Sequence, residues 1–102
     1  MSTMTLDEIN RDIHAMDEKL WHYEIRYGLR TPYFYELYRA GRLRDEDPVE
    51  TRDYSDWAAC YEIKQDREQR YDTLIRKALD QADIQPPTSL ASLKLNTTSS
   101  SV

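Results

Sequence analysis

His14, Glu18 and His22 stand four residues apart, a spacing that lines two imidazoles and a carboxylate along one stripe of a helix. Side chains of these types ligate divalent metals. On a straight helix, however, His14 and His22 lie about 12 Å apart along the axis. One ion cannot bridge both, so the stripe is read as exposed surface beside a packed seam, with no metal and no other cofactor. A His14–Glu18 pair is at most half of a site that a second chain would complete. Cys60 is the single cysteine; it cannot form an intramolecular disulfide, and its place on a long helix suits a small core residue. Gly28 and Gly41 are the only glycines, so no Gly-rich phosphate loop exists. None of the carboxylates stands in an apolar run that would raise its pKa for acid–base work. No catalytic residues are assigned, and the chain is expected not to be an enzyme.

A second group of residues suits binding better than catalysis. The 102-residue chain carries a net charge of -5, but the charge is unevenly placed. Residues 1–25 sum to -4 and residues 45–83 to -6, whereas residues 26–44 sum to +4. That basic stretch holds Arg26, Arg30, Arg39, Arg42 and Arg44, interleaved with Tyr27, Tyr33, Phe34, Tyr35 and Tyr38. Arg and Tyr are enriched at protein interfaces because they bury area at low entropic cost and keep polar tips. The same pairing suits nucleic acid, where rings stack on bases and guanidinium groups neutralise phosphates. A third reading places Phe34, Leu37 and Tyr38 on the core and leaves the arginines solvated. The acidic total disfavours general nucleic-acid binding and favours an acidic protein surface. Arg26, Arg30, Tyr33, Tyr35, Arg39, Arg42, Arg44 and Trp21 are therefore the candidate partner-binding residues. Trp21 stands one step off the packed seam, where it either widens the packed stripe or faces a partner.

Helices must position these side chains. Thr5-Leu6-Asp7-Glu8 has the form of a capping box. Behind it Leu6, Ile9, Ile13, Met16, Leu20, Tyr23 and Tyr27 follow spacings of 3, 4, 3, 4, 3 and 4, a heptad seam held for three heptads. Gly28 then supplies a left-handed terminus. Thr31-Pro32 restarts the chain, with Thr as cap and Pro in the first helical position, for a short helix over 32–40. Gly41 closes it, and Leu43 is placed to fold back on its apolar face. A long helix follows over about 53–82, although Asp47 and Asp53 can each cap its start. Trp57, Cys60, Tyr61 and Ile63 make an apolar beginning; Tyr71, Leu74, Ile75, Ala78 and Leu79 make an apolar end. Residues 64–70 between them are polar on every face, which requires salt pairing, solvent or a charged partner. If the long helices run antiparallel, Lys64 and Arg67 come near Asp17 and Glu18.

The expected fold is thus all-α: an antiparallel hairpin of two long helices with a short connecting helix. Residues 1–5 form an N-terminal extension, 6–83 the helical domain, and 84–102 a Pro/Ser/Thr-rich tail expected to be disordered. Leu, Ile, Val and Phe number only 19, a thin supply for a core, which the eight Tyr and two Trp supplement. No apolar run spans a bilayer and no secretory leader is visible, so a cytoplasmic protein without a membrane partner is expected.

Three strings carry a resemblance. Tyr23-Glu24-Ile25-Arg26-Tyr27-Gly28, then Phe34-Tyr35-Glu36-Leu37-Tyr38-Arg39-Ala40-Gly41-Arg42-Leu43, then Asp56-Trp57-Ala58-Ala59-Cys60-Tyr61-Glu62 fit the pattern YExRYG … FYxxYxxGxL … D/E-WAxxYE. In this the chain resembles, over residues 6–79, a group of short prokaryotic all-helical proteins that look like antitoxin partners of small toxins. The link from Arg44 to Asp53 is longer than in that group, and the Pro-Pro tail is additional. The resemblance implies a protein that binds and neutralises a small toxin, and brings no catalytic residue with it. Two other functions fit the residues. One is a dimeric helical scaffold or adaptor, with Leu6, Ile9, Ile13, Met16, Leu20, Tyr23 and Tyr27 zipping two copies into a four-helix bundle. The other, less favoured, is a nucleic-acid-binding regulator acting through Arg26 to Arg44.

Overall fold

Thr5 begins the first helix as its sequence requires. The Glu8 amide donates to Thr5 Oγ1 and the Thr5 amide donates to Glu8 Oε1, both at 3.0 Å. Two of the amides that a helix start leaves unpaired are thereby satisfied. The computed structural model describes residues 4–82 and 89–90, in which three helices and no strand are present. They are α1 (Leu6–Tyr27), α2 (Thr31–Arg39) and α3 (Pro48–Ala82). α1 ends at Gly28, whose φ of +66° a side chain would strain and whose amide donates to the Glu24 carbonyl at 2.8 Å. The expected tail lies almost wholly outside the described residues.

Two helix starts differ from the sequence expectation. α2 begins one residue earlier, at Thr31, with Arg30 in the cap position and Pro32 in the first turn. Thr31 does not cap because its hydroxyl is turned into the core, where it is bonded to Glu24 and Trp57. α3 begins at Pro48, not near Asp53. Asp47 Oδ1 accepts from the amides of Val49 (2.9 Å) and Glu50 (3.4 Å), and Pro48, with no N–H, needs no acceptor there. Asp53 lies inside α3, buried, with tertiary partners of its own.

The order of contacts between α1 and α3 is regular. Tyr27 bonds Asp53, Tyr23 bonds Asp56, Asp17 pairs with Lys64 and Asp12 pairs with Arg67, so rising numbers on α1 meet falling numbers on α3. Of the seam residues, Leu6, Ile9 and Leu20 are buried and Ile13, Met16, Tyr23 and Tyr27 half-buried. The chain's own α3 covers this seam. It is therefore packed within one molecule.

Residues 64–70 resolve their polarity by ion pairing. Lys64 Nζ lies 2.7 Å from Asp17, as the sequence suggested, while Arg67 Nε reaches Asp12 at 2.8 Å instead of Glu18. Glu18 faces away from α3, which is why Arg67 passes it by. Asp66 is held by Arg67 and Arg70 on its own helix. Two turns with no apolar side chain are thus docked on α1 by charge and by the aliphatic stems of Lys64 and Arg67.

The core lies where α2 folds over the other two helices. Trp57 and Phe34 are each 1% exposed and stack face to face, with centroids 3.8 Å apart and planes within 2°. Tyr23 and Tyr27 stack on the same indole at 5.6 and 5.7 Å. Leu20, Ala58 and Cys60 complete the buried set, and Leu29, Leu43, Tyr38 and Tyr54 close its edges. Leu43 folds back as its position implied. Aromatic rings supply the area that so few aliphatic residues cannot.

Candidate functional site

The candidate partner-binding residues divide into two groups on folding. Arg26 Nη1 lies 2.6 Å from Asp53, and Tyr35 donates its hydroxyl to Glu62 at 2.6 Å with its ring edge-on to Tyr61. Both tie the hairpin to α3. Arg30, Tyr33, Arg39, Arg42 and Arg44 instead face outward; Tyr33 is 62% exposed. Arg30 stands 3.5 Å from Glu24, and Arg44 stands 3.7 Å from Glu46. The net charge of +4 in the sequence is thereby reduced at the surface to a patch centred on Arg39 and Arg42. Trp21 is 58% exposed and does not join the packed stripe.

Three carboxylates form a polar frame around Trp57 that the sequence did not reveal. Glu24 Oε2 accepts from both the amide (2.9 Å) and the hydroxyl (2.7 Å) of Thr31, and that hydroxyl accepts from Trp57 Nε1 at 2.9 Å. Asp53 Oδ2 accepts from the Tyr27 hydroxyl and from Arg26, each at 2.6 Å. Asp56 Oδ2 accepts from the Tyr23 hydroxyl at 2.6 Å and pairs with Lys19 at 3.4 Å. The signal was present as two tyrosines one turn apart on α1 and two aspartates three apart on α3. Only the helix pairing shows that they meet.

The electrostatics follow from this frame. The Tyr27 hydroxyl, followed by the Arg26 guanidinium, holds Asp53 below the usual carboxylate range. Burial, with the Asp53 carboxylate next, pushes the Tyr27 phenol up to about 12. Burial and Asp56 raise Tyr23 as well. Burial also raises the Cys60 thiol, with Asp56 acting the same way, which keeps it protonated. Beside the frame an open cleft of about 310 Å³ is lined by Lys19, His22, Tyr23, Arg26 and Asp53. Its carboxylate already accepts from two protein donors and its phenol is already donating. The groups at this cleft therefore act as fasteners between helices.

His14 and His22 lie on the outer side of α1, and the His22 ring is edge-on to Trp21 at 5.7 Å. Among the described residues no group of three His, Cys, Asp or Glu side chains is placed to hold a metal ion, and no helix is long and apolar enough to cross a membrane. Comparison with family models, with curated proteins and with solved structures finds no match to this chain.

Proposed function

We propose that this chain is a non-catalytic protein-binding module whose α2 hairpin docks an acidic surface on a partner. One observation carries it: the inner face of α2 is locked while its outer face is left open. Phe34 stacks on Trp57 and Tyr35 is tied to Glu62, yet Tyr33, Arg39 and Arg42 point outward from the same nine-residue helix. A rigid helix presenting Tyr and Arg binds with little ordering cost. The frame for it is an antiparallel pairing of α1 and α3, which the contact order described above supports. The resemblance over residues 6–79 names the kind of partner, a small toxin whose active surface the module covers in the cytoplasm. The arginine-rich face is ranked as a protein site above a nucleic-acid site because acidic segments flank it on both sides in sequence.

The test is a native pulldown of the tagged full chain from its own cells, repeated with Arg39→Glu/Arg42→Glu. The expected result is one small acidic protein near one-to-one with the wild type and its loss with the charge-reversed variant. Co-expression of that protein with the wild type should restore growth that the protein alone arrests. Nucleic acid in the eluate, released steeply by salt, would replace this reading with the regulatory one. Unchanged capture by the variant would remove the hairpin from the interface.

A further inference from the structure

The two ends of the α1–α3 seam are both sealed, but only one has a visible cover. Near Gly28 the cover is α2, which meets α3 at Trp57 and Glu62. At the far end Leu6 is 2% and Ile9 0% exposed, yet neither belongs to the buried cluster around Trp57. Between the ends Ile13 and Met16 stand on the same seam and are only half-buried. Half-burial is what two helices alone achieve, because their seam stays open to water along both edges. The first turn of α1, with helix on one side only, should be more open still; it is instead more closed. In the register set by Tyr27–Asp53, Asp17–Lys64 and Asp12–Arg67, Leu6 and Ile9 stand level with Leu74 and Tyr71, themselves half-buried. α3 then runs on to Ala82, about 12 Å past the level of Leu6. Ile75, Ala78 and Leu79 continue its apolar stripe along this overhang, and Leu79 is 39% exposed. The seam therefore ends in an apolar ledge that α1 does not cover.

We propose that this ledge is the docking surface of the chain's own C-terminal segment, which folds back from α3 and seats Leu93 and Leu95 over Leu6 and Ile9. The choice of occupant rests on burial and on reach. Of the residues just before α1, Met4 stands in the staple position relative to Ile9 and is itself half-buried, so it screens one edge of the seam at most. The chain beyond Ala82 starts at the ledge. Pro86-Pro87 prevents α3 from continuing in a straight line. Leu93 follows Ala82 by eleven residues, a reach of up to about 36 Å, against about 17 Å needed to return to the level of Ile9. Leu93 and Leu95 are two apart, so an extended segment turns both to one side. Leu90 is 82% exposed and is not one of the anchors. The Ser- and Thr-rich composition gives this segment no core of its own. It needs none where the seam is already built and two side chains complete it. The inference goes beyond the α2 reading and uses none of its residues.

Amide hydrogen exchange of the full chain, resolved by residue, tests the docking. Leu93→Ser/Leu95→Ser should speed exchange over residues 9–13 and 70–78 by about tenfold or more, and leave residues 34–60 around Trp57 as protected as before. Met4→Ser, the comparison variant, should have the smaller effect. Unchanged exchange at the start of α1 in the double variant overturns the proposal. So does Met4→Ser producing the whole loss, since the cover would then be the residue before the cap. Protection of residues 9–13 that rises with protein concentration assigns the segment to a second copy and overturns docking within one chain.

Discussion

Trp57 donates its indole N–H to the hydroxyl of Thr31 across 2.9 Å, and this one bond fastens the middle of the core to the first residue of α2. Thr31 passes the contact on to Glu24 of α1, so all three helices meet in a chain of three side chains. Thr31→Val keeps the shape and the amide bond to Glu24 but removes both hydroxyl bonds, leaving the buried indole donor unsatisfied. The loss expected is about 1–3 kcal/mol in urea unfolding. Thr31→Ser, which retains the hydroxyl, should lose less than Thr31→Val. Equal losses for the two would show that the methyl packing, and not the hydrogen bond, is what matters.

Asp53 sets the acid limit. Its folded pKa lies below its unfolded value because Tyr27 and Arg26 bond the charged form. The stability it contributes is therefore complete above the unfolded value of about 3.9 and is lost as pH falls through the folded one. Asp53→Asn should cost about 1–2 kcal/mol at neutral pH and flatten the fall in stability below pH about 4. Chemical denaturation at a series of pH values reads both; a variant with an undiminished acid slope would assign that slope to other carboxylates, Asp66 first.

Tyr27 sets the alkaline limit by the opposite sign. Its phenol is raised to about 12 by burial and by Asp53, so the neutral form is favoured on folding. That contribution is fully present below the unfolded value of about 10 and is lost as pH rises toward 12. Stability should decline across this window in the wild type and less steeply in Tyr27→Phe. A tyrosinate absorbance titration should show at least one late phenol that disappears in Tyr27→Phe.

The docking of residues 64–70 by charge leads to a modest expectation. Lys64 and Asp17 are both partly exposed, so a double-mutant cycle with alanine at each should give a coupling of about 0.5 kcal/mol. It should shrink as salt is raised. A coupling unaffected by salt would mean that packing of the Lys64 stem is the source.

How much of this was legible depended on how local each cause was. The capping box at Thr5, the stop at Gly28 and the seam from Leu6 to Tyr27 are set by neighbours in sequence, and each stands as its spacing implied. The start of α3 was ambiguous because Asp47 and Asp53 have equal capping ability. What decided between them was a distant pair, Tyr27 and Arg26, that draws Asp53 into the core. Thr31 followed the same rule, since the buried indole competes for a hydroxyl that would otherwise cap. Arg26 and Tyr35 resembled surface binding residues because composition alone does not show that Asp53 and Glu62 lie within reach. Arg39, Arg42 and Tyr33, which meet no such partner on α3, face outward as the charge pattern suggested.

Trp21 is more than half exposed and Trp57 is sealed between Phe34 and two tyrosines, so the only two indoles of the chain sit in contrasting surroundings. Their light emission is therefore separable without any added label. A polar environment shifts the Trp21 band to longer wavelength and exposes it to iodide, while the Trp57 band stays blue and shielded. A change confined to the red component reports an event on the outer side of α1, and a change in the blue one reports opening of the core. The molecule carries, in its own sequence, independent optical reporters of its surface and of its core.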